Sequence, residues 1–225
     1  PGYMYEWTGQ QQEQDESFAF LGRAFLIAIF LIAFILVSQF NSIVKPVIIL
    51  SSVVMSTAGV FYGLVTFQMA LGLMAFLGLI SLAGVVVNNA IVLIDYVDIL
   101  RTRDGVDLRS ALVQAGKVRF RPVILTAVTT TLGLVPLAIG FNFDFITLVN
   151  NPLLFFTHIG EYIYWGGEQA AWWGPMAIAV IVGLSFATFL TLILVPVLYS
   201  VIERGKMSLH RIFYGTNATL DTNQK

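Results

Sequence analysis

The sequence predicts an all-α membrane protein, a bundle of about five transmembrane helices. Two observations carry this prediction. Of 225 residues, 57% are hydrophobic and only 11% charged, whereas a soluble domain carries about 25% charged residues. The few charges are also bunched, leaving long uncharged runs between them, and about 20 apolar residues of helix cross a hydrocarbon core roughly 30 Å thick. The net charge of -1 gives no reason to expect a nucleic-acid partner. With no cysteine, disulfides, thiolate zinc sites and cysteine nucleophiles are excluded. The two histidines, His158 and His210, lie far apart in sequence. Neither a metal site nor a cofactor is expected.

Residues 1–17 are polar, with Glu13, Asp15 and Glu16, and read as the end of an extramembrane domain and its linker. Because the chain opens on Pro1 without a signal peptide, it is read as a piece of a longer protein. The first span, 18–40, takes in the uncharged run between Arg23 and Lys45. From Pro46 to Ile94 there is no charge. As one helix that run would be roughly 70 Å long, so it must fold back. Polar Thr66 and Gln68 place the turn at Thr66–Met69, between spans at 46–65 and 70–97. Pro46 suits a helix start, where its missing N–H is not needed. Two further spans, 122–140 and 172–202, precede a tail at 203–225.

Lys and Arg set the orientation. Arg101, Arg103, Arg109, Lys117, Arg119 and Arg121 lie between or at the edges of the third and fourth spans. Arg204, Lys206, Arg211 and Lys225 follow the fifth. Both regions are expected on the cytoplasmic side, as is Lys45, and only Arg23 falls on the other. Phe141–Ala171 has neither Lys nor Arg. The N-terminus is therefore expected outside and the C-terminus inside. Tyr162, Tyr164, Trp165, Trp172 and Trp173 read as an interfacial aromatic belt.

Polar side chains inside a span are functional candidates by default. Ser81, Asn88 and Asp95 are seven apart, with Gly84 four before Asn88, so they share one helical face. On the fourth span Arg119, Thr126 and Thr130 form a second stripe, beside Thr129 and Thr131. A polar seam between the two helices would satisfy both. The plainer alternative is that Asn and Thr act as interhelical glue, at about 1 kcal/mol or less per bond. Gly59 and Gly63 read as a packing surface of small residues, as does Gly84. Pro136 and Pro196 are expected to kink their helices. Asp98 and Asp104 with Arg101 and Arg103 read as a solvated face. With no nucleophile–base pair, phosphate-binding glycine loop or carboxylate dyad, an enzyme is not expected.

Two strings go beyond composition: GVVVNNAIVLIDYV at 84–97 and RFRPVILTAVTTTLGLVPLA at 119–138. With PGYMYEWTGQQQEQ at the start, AFLGLISLAG before the first string and FATFLTLILVPVLY near the end, the chain resembles inner-membrane pumps of the resistance-nodulation-division efflux family. The family's pumps have two similar halves, each with a periplasmic porter domain inserted after its first helix and five more helices following. In the first half, two adjacent aspartates stand where Asn88 and Asn89 stand here. Their absence implies the C-terminal half, with residues 1–17 closing a porter domain. The resemblance implies proton-driven efflux of hydrophobic or amphiphilic compounds across a bacterial inner membrane by a homotrimer. It also implies a periplasmic adaptor, an outer-membrane channel and the N-terminal half as partners. Arg119 and Thr126 match the family's relay arginine and threonine. Asn88 occupies the position of its relay lysine, and an amide cannot titrate, so it can only hydrogen-bond the carboxylates. Asp95 is a further relay candidate. The alternatives are a related bundle for protein export or lipid transfer, or a non-transporting remnant.

Overall fold

The structure, a computed structural model, describes residues 9–143 and 163–214. The described chain is helical except for one short strand pair. Its elements are α1 (Gln10–Phe40), α2 (Val44–Thr66), α3 (Leu73–Thr102), α4 (Leu108–Ala138), β1 (Phe141–Phe143), β2 (Ile163–Trp165) and α5 (Glu168–Tyr214). All five helices are long and apolar enough to cross a membrane.

α5 is the hub, packing against α2, α3 and α4. Small residues let it approach closely. A Cβ on Gly63 would lie 2.7 Å from Val182 Cβ, and one on Gly59 would lie 2.7 Å from Phe186 Cβ. From the other side, a Cβ on Gly183 would meet Leu82 and Val60, and one on Gly78 would stand 2.9 Å from the carbonyl oxygen of Met176. Lipid is as apolar as leucine, so close van der Waals packing supplies what the hydrophobic effect supplies in water. Two apolar clusters result. One holds Ile48, Ile49, Val53, Val87, Leu93, Ile94, Val97 and Val195. The other holds Val60, Leu64, Leu79, Leu82, Val86, Ala179 and Leu184. Buried Ser52 and Ser56 close their hydroxyls on carbonyls of their own helix, Ile49 at 2.5 Å and Val53 at 2.7 Å. α1 lies at the edge with Leu26, Phe30, Phe34 and Ile35 exposed.

The helix ends differ from the expected spans in instructive ways. Gln10–Ser17, read as linker, is already the first turns of α1. Pro46 falls at the third position of α2, still within the turn whose N–H groups have no intrahelical acceptor. The chain turns over residues 67–72, with Gln68 at φ 52°. The largest difference is α4. It starts at Leu108 rather than Pro122, so its cationic segment is helix continuous with the span. Asp107 caps the start by accepting from the Arg109 N–H at 3.2 Å, and Thr126 donates to the Pro122 carbonyl at 3.0 Å. Pro136 and Pro196 lie inside α4 and α5, and α5 continues past residue 202 to Tyr214.

β1 and β2 pair antiparallel, Phe141 opposite Trp165, with those two rings edge-to-face at 5.6 Å. Gly140, at φ +71°, is pressed by Gly166, whose N–H donates to its carbonyl at 2.7 Å. The Asn142 amide donates to the carbonyls of Gly140 and Gly166. Gly140, Asn142 and Gly166 thus tie the strand pair to the ends of α4 and α5. Tyr164, Trp165, Trp172 and Trp173 are exposed at this end of the bundle, while Tyr162 lies outside the described residues.

Candidate functional site

The polar stripe on α3 is an outward face. Ser81, Gly84, Asn88 and Asp95 are all exposed, while Leu82, Val86, Ala90 and Leu93, on the opposite side, form the core. Among the described residues Gly84 therefore does not pack a neighbouring helix as Gly59 and Gly63 do. A Cβ there would meet nothing within 4 Å. Asn89, one residue on, is buried.

Among the described residues no hydrogen bond joins the α3 stripe to the α4 stripe, so the expected polar seam is not seen. Thr126 and Thr129 are exposed and donate back to carbonyls of α4, Pro122 at 3.0 Å and Leu125 at 2.9 Å. A hydroxyl can satisfy itself on its own helix, so nothing compels the two stripes to meet. Thr131 turns instead toward α5, beside Thr188. Besides apolar packing of Ala111 and Ala115 in the cluster that holds Leu93, Ile94, Val97 and Leu100, a polar side chain reaches across: the Arg119 guanidinium stacks over the Tyr96 ring at 4.8 Å, adjacent to Asp95. Arg119 Nε is buried without a hydrogen-bond partner among the described residues, as is Thr188 Oγ1. A buried guanidinium N–H without an acceptor is costly.

A second polar cluster was not expected from the sequence. Asp98 and Arg101 are not a solvated face. Lys45 Nζ reaches Asp98 Oδ2 at 2.5 Å, and the Tyr199 hydroxyl donates to Asp98 Oδ1 at 3.1 Å. Arg101 donates to Tyr199 Oη at 3.2 Å and to Glu203 at 3.0 Å. This chain of bonds ties the start of α2, the last turns of α3 and the Tyr199–Glu203 turn of α5 around a cavity of about 370 Å³. Lys45 and Asp98 are 53 residues apart, and Arg101 and Glu203 102, so only the tertiary arrangement brings them together. Arg103 and Asp104, by contrast, are exposed and do lie on a solvated face. Asp98→Ala leaves a half-buried ammonium and a tyrosine hydroxyl without their acceptor, a loss of about 2 kcal/mol. Thermal unfolding in detergent should fall by about 5 °C, and an unchanged midpoint would show that the network adds no stability.

Five apolar helices around a small-residue interface, with a polar face left open at mid-span, define a multi-pass membrane protein. Residues 1–142 match the AcrB/AcrD/AcrF family, and the chain belongs to that family, the resistance-nodulation-division transporters. It is 36% identical over 196 residues to the swarming motility protein SwrC of Bacillus subtilis, covering 87% of this chain and 16% of SwrC. It is 29% identical to the multidrug resistance protein MdtC of Erwinia tasmaniensis (80% and 15% covered) and to the nickel-cobalt-cadmium resistance protein NccA of Alcaligenes xylosoxydans (94% and 17%). A crystal structure of a heavy metal efflux pump superposes with a TM-score of 0.69 at 29% identity, over 89% of this chain and 18% of that one. The chain spans about one sixth of the length of these relatives.

Proposed function

We propose that the chain is the C-terminal half of the membrane domain of a proton-driven efflux pump in a bacterial inner membrane. The observation that carries this reading is the open polar face of α3 together with Arg119. Polar groups facing hydrocarbon are costly, so Ser81, Asn88 and Asp95 call for a polar surface opposite them, supplied here by the N-terminal half with its paired aspartates. Arg119 Nε, lacking an acceptor, suits an approaching carboxylate and holds it ionised until a proton arrives. Asn88 and Thr126 orient that carboxylate by hydrogen bonds, and Asp95 relays the proton toward the cytoplasmic end. Asn88 cannot itself change charge, so the switch is carried by the aspartates and Arg119. Residues 1–9, which precede α1, would close the periplasmic porter domain and 203–225 would form the cytoplasmic tail.

Hydrophobic or amphiphilic compounds are the proposed cargo, in line with the name of MdtC, and the name of NccA supplies the competing cargo, metal cations. Growth of an expressing strain on both classes separates them: protection against amphiphiles supports the reading and protection against cadmium alone overturns it. A homotrimer working with a periplasmic adaptor and an outer-membrane channel completes the proposal.

Two cysteine experiments test the placement, made with any cysteine outside these residues replaced, since these 225 residues hold none. In the complete protein, Asp104→Cys should label only from the cytoplasm and Glu168→Cys only from the periplasm, and the reverse pattern overturns the orientation. A spin label at Asn88→Cys should collide rarely with lipid-dissolved oxygen, unlike one at exposed Leu125→Cys. Equal collision rates would mean that the α3 face meets lipid.

A further inference from the structure

One face of α4 carries a feature that the transport reading does not use. Between α4 and α5 runs an apolar groove of about 420 Å³, lined by Phe120, Ile124, Val128 and Leu132 on one wall and Phe189 and Leu192 on the other. Phe120 to Leu132 spans about 18 Å of helix, close to the depth of one leaflet in a core roughly 30 Å thick. The groove lies away from the relay stripe, since Thr126 and Thr129 are on the far side of α4. At its end nearer the start of α4 the same face turns basic. Lys117, Arg121, Ile124 and Val128 follow one another at helical spacings of four, three and four, so a stripe that begins with two cations continues as the groove wall. Lys117 and Arg121 are both exposed, and among the described residues neither has an ion-pair partner. Like charges four apart on a helix repel, and an anion between them removes that cost. A further concavity beside Lys117, lined also by Arg109, Ser110 and Gln114, extends the basic end. Asp107 is the acidic residue nearest to it in sequence, and its carboxylate is engaged by the Arg109 backbone N–H.

We infer that this face seats an anionic phospholipid, its phosphate between Lys117 and Arg121 and an acyl chain in the α4–α5 groove. Basic pockets at the ends of transmembrane helices recognise anionic headgroups in this way, and charge complementarity sets such a lipid apart from a zwitterionic one. The seat depends only on α4 and α5 lying in a membrane and is independent of proton coupling.

The test is native mass spectrometry of the complete protein, released from nanodiscs containing phosphatidylglycerol and phosphatidylethanolamine in equal amounts. The wild type should retain phosphatidylglycerol in preference to phosphatidylethanolamine. Lys117→Gln/Arg121→Gln should lower phosphatidylglycerol retention about 30-fold, from two interfacial cations. Val128→Trp fills the groove from an exposed position and should lower it as well, whereas Arg103→Gln, outside the groove, should leave it unchanged. Retention that survives the double substitution overturns the proposal, as does equal retention of the two lipids. Loss in the double variant without loss in Val128→Trp also overturns it, because the headgroup would then bind a charged surface with no seat beneath it. A groove filled by another segment of the complete protein would give the same insensitivity to Val128→Trp.

Discussion

Arg119→Ala, made in the complete pump, is expected to lower proton-coupled export by about 100-fold or more while the protein still assembles. The reasoning is electrostatic. A guanidinium in a membrane-spanning segment is costly unless an anion or ring compensates it, and Tyr96 stacking at 4.8 Å leaves Nε without an acceptor. Removing it raises the cost of ionising any carboxylate opposite, and a loss of about 3 kcal/mol in that stabilisation corresponds to about 100-fold. Arg119→Lys keeps the charge but lacks the planar fork and the ring stacking, so partial activity is expected, with a shifted pH profile. Loss of export in Arg119→Ala alongside loss of the folded protein would point to a structural role, and so size-exclusion profiles belong beside the transport assay. Asn88→Leu should reduce export less, by about tenfold, because a hydrogen bond rather than a charge is removed.

The second large effect is on stability. Gly59→Leu/Gly63→Leu should separate α2 from α5. A Cβ at either glycine would already lie 2.7 Å from the Cβ of Phe186 or Val182, atoms near the backbone that cannot swing aside. Overpacking at a single site costs about 1–3 kcal/mol, so the pair should cost about 4 kcal/mol, a large part of the stability of most proteins. Thermal unfolding in detergent should show a fall of about 10 °C or more. Gly84→Leu, where a Cβ meets nothing within 4 Å, should leave the helices of this chain together. If Gly84→Leu nevertheless disrupts the complete protein, the α3 face is packed against something outside these residues, as the proposed partnering of the two halves requires.

The contrast between those glycines shows what sequence alone could and could not give. Five helices and the turn after α2 were legible because charge and apolar run length act locally: a bilayer imposes one length scale on every span. The periodicity of Ser81, Asn88 and Asp95 correctly put them on one face. Nothing in a single helix says whether that face is covered by its neighbours, and here it is left exposed by the other described helices. The Lys45–Asp98–Tyr199–Arg101–Glu203 network was invisible for a related reason, since its members come from three helices and their charges look like ordinary helix-end solvation. Glu203 follows Tyr199 by one turn, as Arg101 follows Asp98 by three residues, and that matched spacing on two helices was the one signal available. The span at 122–140 begins well after α4 does, at Leu108, because charge marks where an apolar run begins and not where the helix carrying it begins. The hydrogen bond lost at Pro122 is tolerated inside the helix, where the freed backbone has other ways to be satisfied.

The central claim, that the α3 and α4 polar groups serve proton-driven export, is tested most directly by proton flux. The complete protein, reconstituted into liposomes containing a pH-sensitive dye, would be given an amphiphilic substrate under an imposed pH gradient. Substrate-dependent proton movement in the wild type, absent from Arg119→Ala and diminished in Asn88→Leu, is the expected result. Substrate export that continues without proton movement, or proton movement unchanged in both variants, would contradict it.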